Sequence, residues 1–123
     1  MTLCDTDIVI EYLKNNESIC KLIESIGFDN ISISIITKAE LLHGAFDKNE
    51  SLKIEKYLST LEIYHIDNNI SLKFNDIMKD YSLSHRINIP DALIAATAII
   101  NNIELLTRNK KDFKFIKGIK LYK

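Results

Sequence analysis

With 123 residues, 46% of them hydrophobic and 27% charged, the chain is long enough for one domain over residues 1–123 and too apolar for intrinsic disorder. No apolar run approaches the roughly 20 residues that span a bilayer, and no secretory leader pattern opens the chain, so a cytoplasmic protein without a membrane segment is expected. Cys4 and Cys20 belong to no paired ligand motif, which argues against a zinc site or a disulfide framework.

Taken in order, Met1 to Cys4 is a short apolar run and reads as the first strand. Ile8, Val9, Tyr12 and Leu13 fall on one helical face, with Asp7 as a natural N-cap. Ile19, Leu22, Ile23 and Ile26 repeat at helical spacing, and Gly27 is a good stop. Ile31 to Ile35 alternates with period two and predicts the second strand. A helix is expected from about Thr37 to Phe46, another around Ile54, Leu58 and Leu61, and a third strand over Ile63–Ile66. Ile70, Phe74, Ile77, Met78 and Tyr81 give a long helix. Asp91 to Ile100 is apolar nearly all round, so it should be the most buried helix. Ile103–Leu106 and Ile119–Leu121 read as the last two strands. Alternating strands and helices predict an α/β fold, a three-layer α/β/α sandwich around a central, mostly parallel sheet.

The net charge of −1 conceals a division. Residues 1–107 carry 9 Lys/Arg against 16 Asp/Glu, whereas residues 108–123 carry 7 against Asp112 alone. A basic segment beside an acidic centre can hold a polyanion near a metal, and it equally describes a solvated, lysine-rich terminal strand.

Four acids stand at or just after junctions between apolar runs and helices: Asp5, Glu40, Asp91 and Asp112. In an α/β sheet such junctions gather at one edge, so acids distant in sequence can become neighbours. Clustered carboxylates repel unless a cation neutralises them, and oxygen ligands suit Mg²⁺ or Mn²⁺. Each acid has a structural alternative. Thr37-Lys38-Ala39-Glu40 matches a capping box. Pro90 at the start of a helix puts Asp91 in its first turn, where a negative charge suits the dipole. One of Asp5 and Asp7 is needed for capping, and Asp112 alone is an ordinary turn residue.

Taken together, the order Asp5, Ile35-Ile36-Thr37-Lys38-Ala39-Glu40-Leu41-Leu42-His43-Gly44, Ile89-Pro90-Asp91-Ala92-Leu93-Ile94-Ala95-Ala96 and Leu106-Thr107-Arg108-Asn109-Lys110-Lys111-Asp112-Phe113 resembles a PIN-domain ribonuclease. More narrowly it resembles a VapC-type toxin of a prokaryotic toxin–antitoxin pair, and the resemblance runs along essentially the whole chain. It implies an Mg²⁺- or Mn²⁺-dependent endoribonuclease that cuts tRNA, rRNA or mRNA with a metal-activated water. Asp5, Glu40 and Asp91 would be the core metal-binding carboxylates. Many relatives have Asp where this chain has Asn109, while others carry an acid where Asp112 stands. Asn109 cannot supply charge, so Asp112 is the expected fourth catalytic and metal-binding acid. Asp7 replaces the usual Asn or Ser and either adds charge or caps the helix. Thr6 and Thr107 would offer supporting hydroxyls, and Arg108, Lys110 and Lys111 would hold RNA. The resemblance further implies a homodimer and a small cognate antitoxin, with Tyr57 and Leu58 as candidate contact surface.

Other readings compete. A phosphotransfer receiver domain shares the length and the paired acids Asp5 and Asp7, and Asp67 follows strand three as its phospho-acceptor would. It leaves Glu40 and Asp91 unexplained. A PIN-like module that binds RNA without cutting, and a PIN-type processing nuclease outside a toxin pair, are the others. His43, His65 and His85 are scattered, which fits a two-imidazole ribonuclease mechanism poorly.

Overall fold

The computed structural model describes residues 1–123. Its elements run β1 (Thr2–Cys4), α1 (Thr6–Leu13), α2 (Glu17–Ile26), β2 (Ile31–Ser34), α3 (Ile35–His43), α4 (Lys48–Leu58), β3 (Glu62–Tyr64), α5 (Asn68–Tyr81), α6 (Ile89–Ile100) and β4 (Glu104–Leu106). The strands pair in the order β3-β2-β1-β4, and every pair is parallel.

Period-two alternation sorts the strand side chains between two cores. Leu3 and Cys4 are chain neighbours, yet Leu3 packs with α5 and α6 whereas Cys4 packs with α1 to α4. Leu105 and Leu106 divide in the same way. On one face Ile8, Val9, Ile19, Ile23, Leu41, Ile54 and Leu58 cover the sheet. On the other lie Ile70, Ile77, Ile94 and the alanines of α6, joined by Phe113 and Ile116 from the C-terminal segment. The result is the expected α/β/α sandwich. Ala92, Ile94, Ala95, Ala96, Thr97 and Ala98 are all buried, so α6 is the heavily buried helix its composition predicts. Gly27 closes α2 at φ 97°, a backbone conformation glycine adopts without steric cost.

Several boundaries differ from the sequence reading, among them the end of α3 at His43 rather than near Phe46. Helix α3 begins at Ile35, because Ser34 caps it by accepting a hydrogen bond from Ile36 N at 3.1 Å. Strand β3 ends at Tyr64, and Asp67 then caps α5 by accepting from Ile70 N at 2.8 Å. The expected strand at Ile119–Leu121 shrinks to one bridge between Leu121 and Leu105. The chain leaves a turn at Gly118, φ 91°, so only Lys120 and Tyr122 reach Leu105, through bonds of 2.8 and 2.9 Å.

Candidate active site

The site lies at the carboxyl edge of the central strands, where an open α/β sheet places its ligands. Asp5 N donates to Leu106 O at 2.9 Å, which prolongs the β1–β4 pairing and brings Asp5 beside Thr107. Asp5 is only 6% exposed. Its Oδ1 accepts from Thr6 N and its Oδ2 from Thr107 Oγ1, both at 2.8 Å. Asp5 is therefore the residue that caps α1, and Asp7 is not.

Asp7, freed from capping, turns toward the segment after β4. Its Oδ2 accepts from Arg108 N and from Asn109 Nδ2, each at 3.1 Å, while its Oδ1 is buried without a partner. Asn109 thus acts on Asp7, and its own backbone N donates to Thr107 Oγ1 at 3.0 Å. Asp112 sits exposed on a short 3-10 turn, Lys110–Asp112, where its charge raises the Asp91 carboxyl.

Glu40 is not a capping-box residue. Ser34 is the cap of α3, and Thr37 is fully buried within the helix. Glu40 lies in the second turn of α3, beyond the first turn expected from sequence. Its Oε1 accepts from Thr6 Oγ1 at 2.6 Å, and Thr6 Oγ1 lies 3.0 Å from Thr37 Oγ1. Asp91 is the third residue of α6, held there by Asn88, whose Oδ1 accepts from Asp91 N at 2.8 Å. Both threonines singled out from sequence, Thr6 and Thr107, brace carboxylates.

The electrostatics bind these groups into one constellation. Burial, then the neighbouring Asp7, pushes the Asp5 carboxyl up to about 7, against the pull of the Thr107 and Thr6 hydrogen bonds. Burial, then Asp112 and Glu40, pushes Asp91 up to about 6. Asp5, Asp7, Glu40, Asp91 and Asp112 thus sit in one mutually repulsive field. No three of them are drawn together at the spacing of a closed ligand shell. Cys4 is no ligand candidate, since burial and then Asp5 and Asp7 push its thiol up to about 12.

This donor set fits a hard divalent cation. The oxygens are carboxylates with excess negative charge, and the buried, orphaned Asp7 Oδ1 lacks a donor that a metal-bound water would supply. An open constellation suits Mg²⁺ or Mn²⁺ better than zinc, because magnesium retains several waters and takes few carboxylates.

The basic residues do not form one strip. The Arg108 guanidinium reaches back to Glu11 at 3.2 Å, and Lys110 is exposed on its turn. Lys111 lines a cleft with Asp91, Asp112, Arg86 and Asn88. Sequence reasoning passed over Arg86 and Asn88, although Asn two residues before Pro90 is a recognisable N-cap signal. Leu58 is 1% exposed and offers no contact surface, whereas Tyr57 is 56% exposed. The receiver-domain reading fails on topology: β3 is the edge strand, separated from β1 by β2, so Asp67 cannot join Asp5 as in a sheet of order 2-1-3-4-5.

The comparisons agree with this architecture. A family model described as PIN domain matches residues 2–118. Ribonuclease VapC1 of Methanocaldococcus jannaschii is 33% identical over 123 residues, covering 98% of this chain and 85% of its own. Ribonuclease VapC10 of Mycobacterium tuberculosis is 30% identical over 122 residues, covering 98% and 91%. Among solved structures, a toxin–antitoxin complex from Klebsiella pneumoniae superposes with a TM-score of 0.81 at 31% identity, over 97% of this chain and 95% of that one. VapBC2 from Rickettsia felis, bound to a DNA fragment from its promoter, superposes with a TM-score of 0.84 at 28% identity, over 98% and 96%. On its parallel sheet order and these relationships, the chain belongs to the PIN-domain family, in its VapC ribonuclease branch.

Proposed function

We propose that this protein is a cytoplasmic endoribonuclease dependent on Mg²⁺ or Mn²⁺, the toxin of a toxin–antitoxin pair. The observation that carries the reading is the uncompensated acid constellation: two buried or half-buried carboxyls raised toward neutrality, with no cation paired to either. Such charge is costly for a fold to retain and is concentrated at functional sites. Asp5, Glu40, Asp91 and Asp112 are the residues that would hold the metal. Bound there, the ion would neutralise the scissile phosphate and lower the pKa of an attacking water.

The chain's own residues do the rest. Thr107 and Thr6 fix the rotamers of Asp5 and Glu40 through the bonds described above. Asn109 holds Asp7, whose free oxygen faces no protein donor. Burial, Asp112 and Glu40 raise the Asp91 carboxyl in the absence of a cation, a cost that an ion bound there would relieve. Lys111 stands beside Asp91 and Asp112 with its charge available for a phosphate. Lys110 adds positive charge just before it on the same segment, and Arg108 could do so only by leaving Glu11.

A small antitoxin as partner is supported by relatives solved as toxin–antitoxin complexes. A homodimer would bring two such sites together. The test is incubation of the purified, antitoxin-free protein with total tRNA, rRNA and mRNA, with Mg²⁺, Mn²⁺ or EDTA, beside Asp5→Asn and Asp91→Asn. Discrete metal-dependent cuts that vanish in both variants are expected. A folded, metal-loaded protein that leaves every RNA intact would transfer the reading to a non-cutting RNA-binding module. Sedimentation measures the dimer, and growth rescue by the product of a short adjacent gene measures the antitoxin.

A further inference from the structure

We propose that the cleft beside Asp91 and Asp112 seats one unpaired nucleotide flanking the scissile phosphate, its base stacked on His85 and its phosphate held by Arg86 and Lys111. The proposal rests on the ribonuclease reading and adds a base-stacking residue and two phosphate-holding cations of this chain.

The platform is built from three aromatic rings. His85 and Phe115 lie parallel, 4.1 Å between centroids and 8° between planes. Tyr81 meets both edge-on, at 5.6 Å from His85 and 5.2 Å from Phe115. The Tyr81 hydroxyl accepts from Lys117 N at 3.0 Å, and Ser84 Oγ lies 2.7 Å from His85 Nδ1. These contacts fix the imidazole plane, while His85 itself is exposed. One ring face is therefore packed against Phe115, and the exposed imidazole lines the cleft.

Platform and acids are held in fixed relation. Between His85 and Asp91, Arg86 turns the chain at φ 54°, Ile87 is buried at 8% exposure, and Asn88 caps α6 through Asp91 N. His85, Phe115, Arg86, Lys111, Asp91 and Asp112 line the same cleft. Neither Arg86 nor Lys111 takes part in an ion pair, although two carboxylates stand in that cleft. An exposed, stacked imidazole, two unpaired cations and a carboxylate pair make the combination that a nucleotide beside a metal site needs. The cleft measures about 210 Å³, below the ~300 Å³ of drug-sized pockets, which suits a single base better than a folded segment. A base inside a duplex has both faces covered by its neighbours, so comparing a single strand with its duplex separates stacking on His85 from contact with phosphate alone.

The test is fluorescence anisotropy in EDTA, where nothing is cut, with a labelled single-stranded oligoribonucleotide and its duplex. Wild type, His85→Ala, His85→Phe and His65→Ala would be compared, His65 being an exposed imidazole remote in sequence from the cleft. His85→Ala should weaken single-strand binding by at least about 5-fold, with recovery in His85→Phe and no change in His65→Ala. In wild type, an abasic nucleotide beside the mapped cut should raise KM by a similar factor, and in His85→Ala it should add nothing. Unchanged binding by His85→Ala, or equal affinity for the duplex, would overturn the seat. Cutting that persists alongside His85-independent binding removes the seat alone. His85-dependent binding without any cutting keeps the seat and removes the nuclease reading.

Discussion

Thr107 Oγ1 donates a 2.8 Å hydrogen bond to Asp5 Oδ2, joining residues 102 apart in sequence across the carboxyl ends of adjacent parallel strands. The same hydroxyl accepts from Asn109 N at 3.0 Å, so one side chain sets both the Asp5 rotamer and the course of the segment after β4. Thr107→Val keeps the shape and removes the donor. Leaving Asp5 Oδ2 unpaired should cost about 1–3 kcal/mol. The loss of a positioning partner should lower metal-dependent cleavage by about 10- to 100-fold. Thr107→Ser should restore most of both in denaturant titration and single-turnover cleavage, and a Val variant with full activity would remove Thr107 from the site.

The raised carboxyls give the metal-free protein a pH dependence of unusual sign. Asp5 is pushed from 3.8 to about 7, so above pH 4 the unfolded chain ionises while the folded one resists. This residue's contribution to stability therefore declines as pH rises from about 4 to about 7 and is constant above that. Asp91 adds a smaller decline that ends near pH 6. Asp5→Asn should be the more stable protein at pH 7.5 in EDTA, and its advantage should shrink toward pH 4.5. Urea titrations across that range measure it. A gap between wild type and variant that ignores pH would contradict the buried-charge account.

Metal should relieve that cost. At 100 times its dissociation constant, an ion that binds only the folded state stabilises it by about 2.7 kcal/mol. Addition of Mg²⁺ or Mn²⁺ to wild type should raise Tm, and Asp5→Asn or Asp91→Asn should abolish most of the rise. Equal shifts in wild type and both variants would place the ion elsewhere.

Phe113 is fully buried next to Asp112 and anchors the C-terminal segment in the α5–α6 core. Phe113→Ala should cost about 3–5 kcal/mol. Because Asp112 rides on the same turn, cleavage should fall further than the folded fraction does, a difference visible once activity is normalised to the folded protein by circular dichroism.

The acids that came together were legible from local pattern. Asp5, Glu40, Asp91 and Asp112 stand near run boundaries, and a parallel sheet sends those boundaries to one edge. Their roles within the site were less legible, because capping signals are degenerate. Thr37-Lys38-Ala39-Glu40 satisfies the capping-box pattern, but Ser34 takes the cap and leaves Glu40 to Thr6. Asp5 and Asp7 are equally good caps on paper, and the β1–β4 pairing decides between them by fixing Asp5 at the strand end.

The sequence by itself determined the layers. Period two in Ile31–Ser34, helical spacing in α2 and α5, and the apolar circumference of α6 are local properties, and burial of apolar surface acts on them directly. Only the tertiary structure decided which polar groups met. Asn109 on Asp7, Arg108 on Glu11, Thr6 on Glu40 and the reduction of the last strand to Leu121 all depend on partners far along the chain. Hydrogen bonds and ion pairs are short-ranged and directional, so no spacing rule within one segment can specify them until the sheet has set those segments side by side.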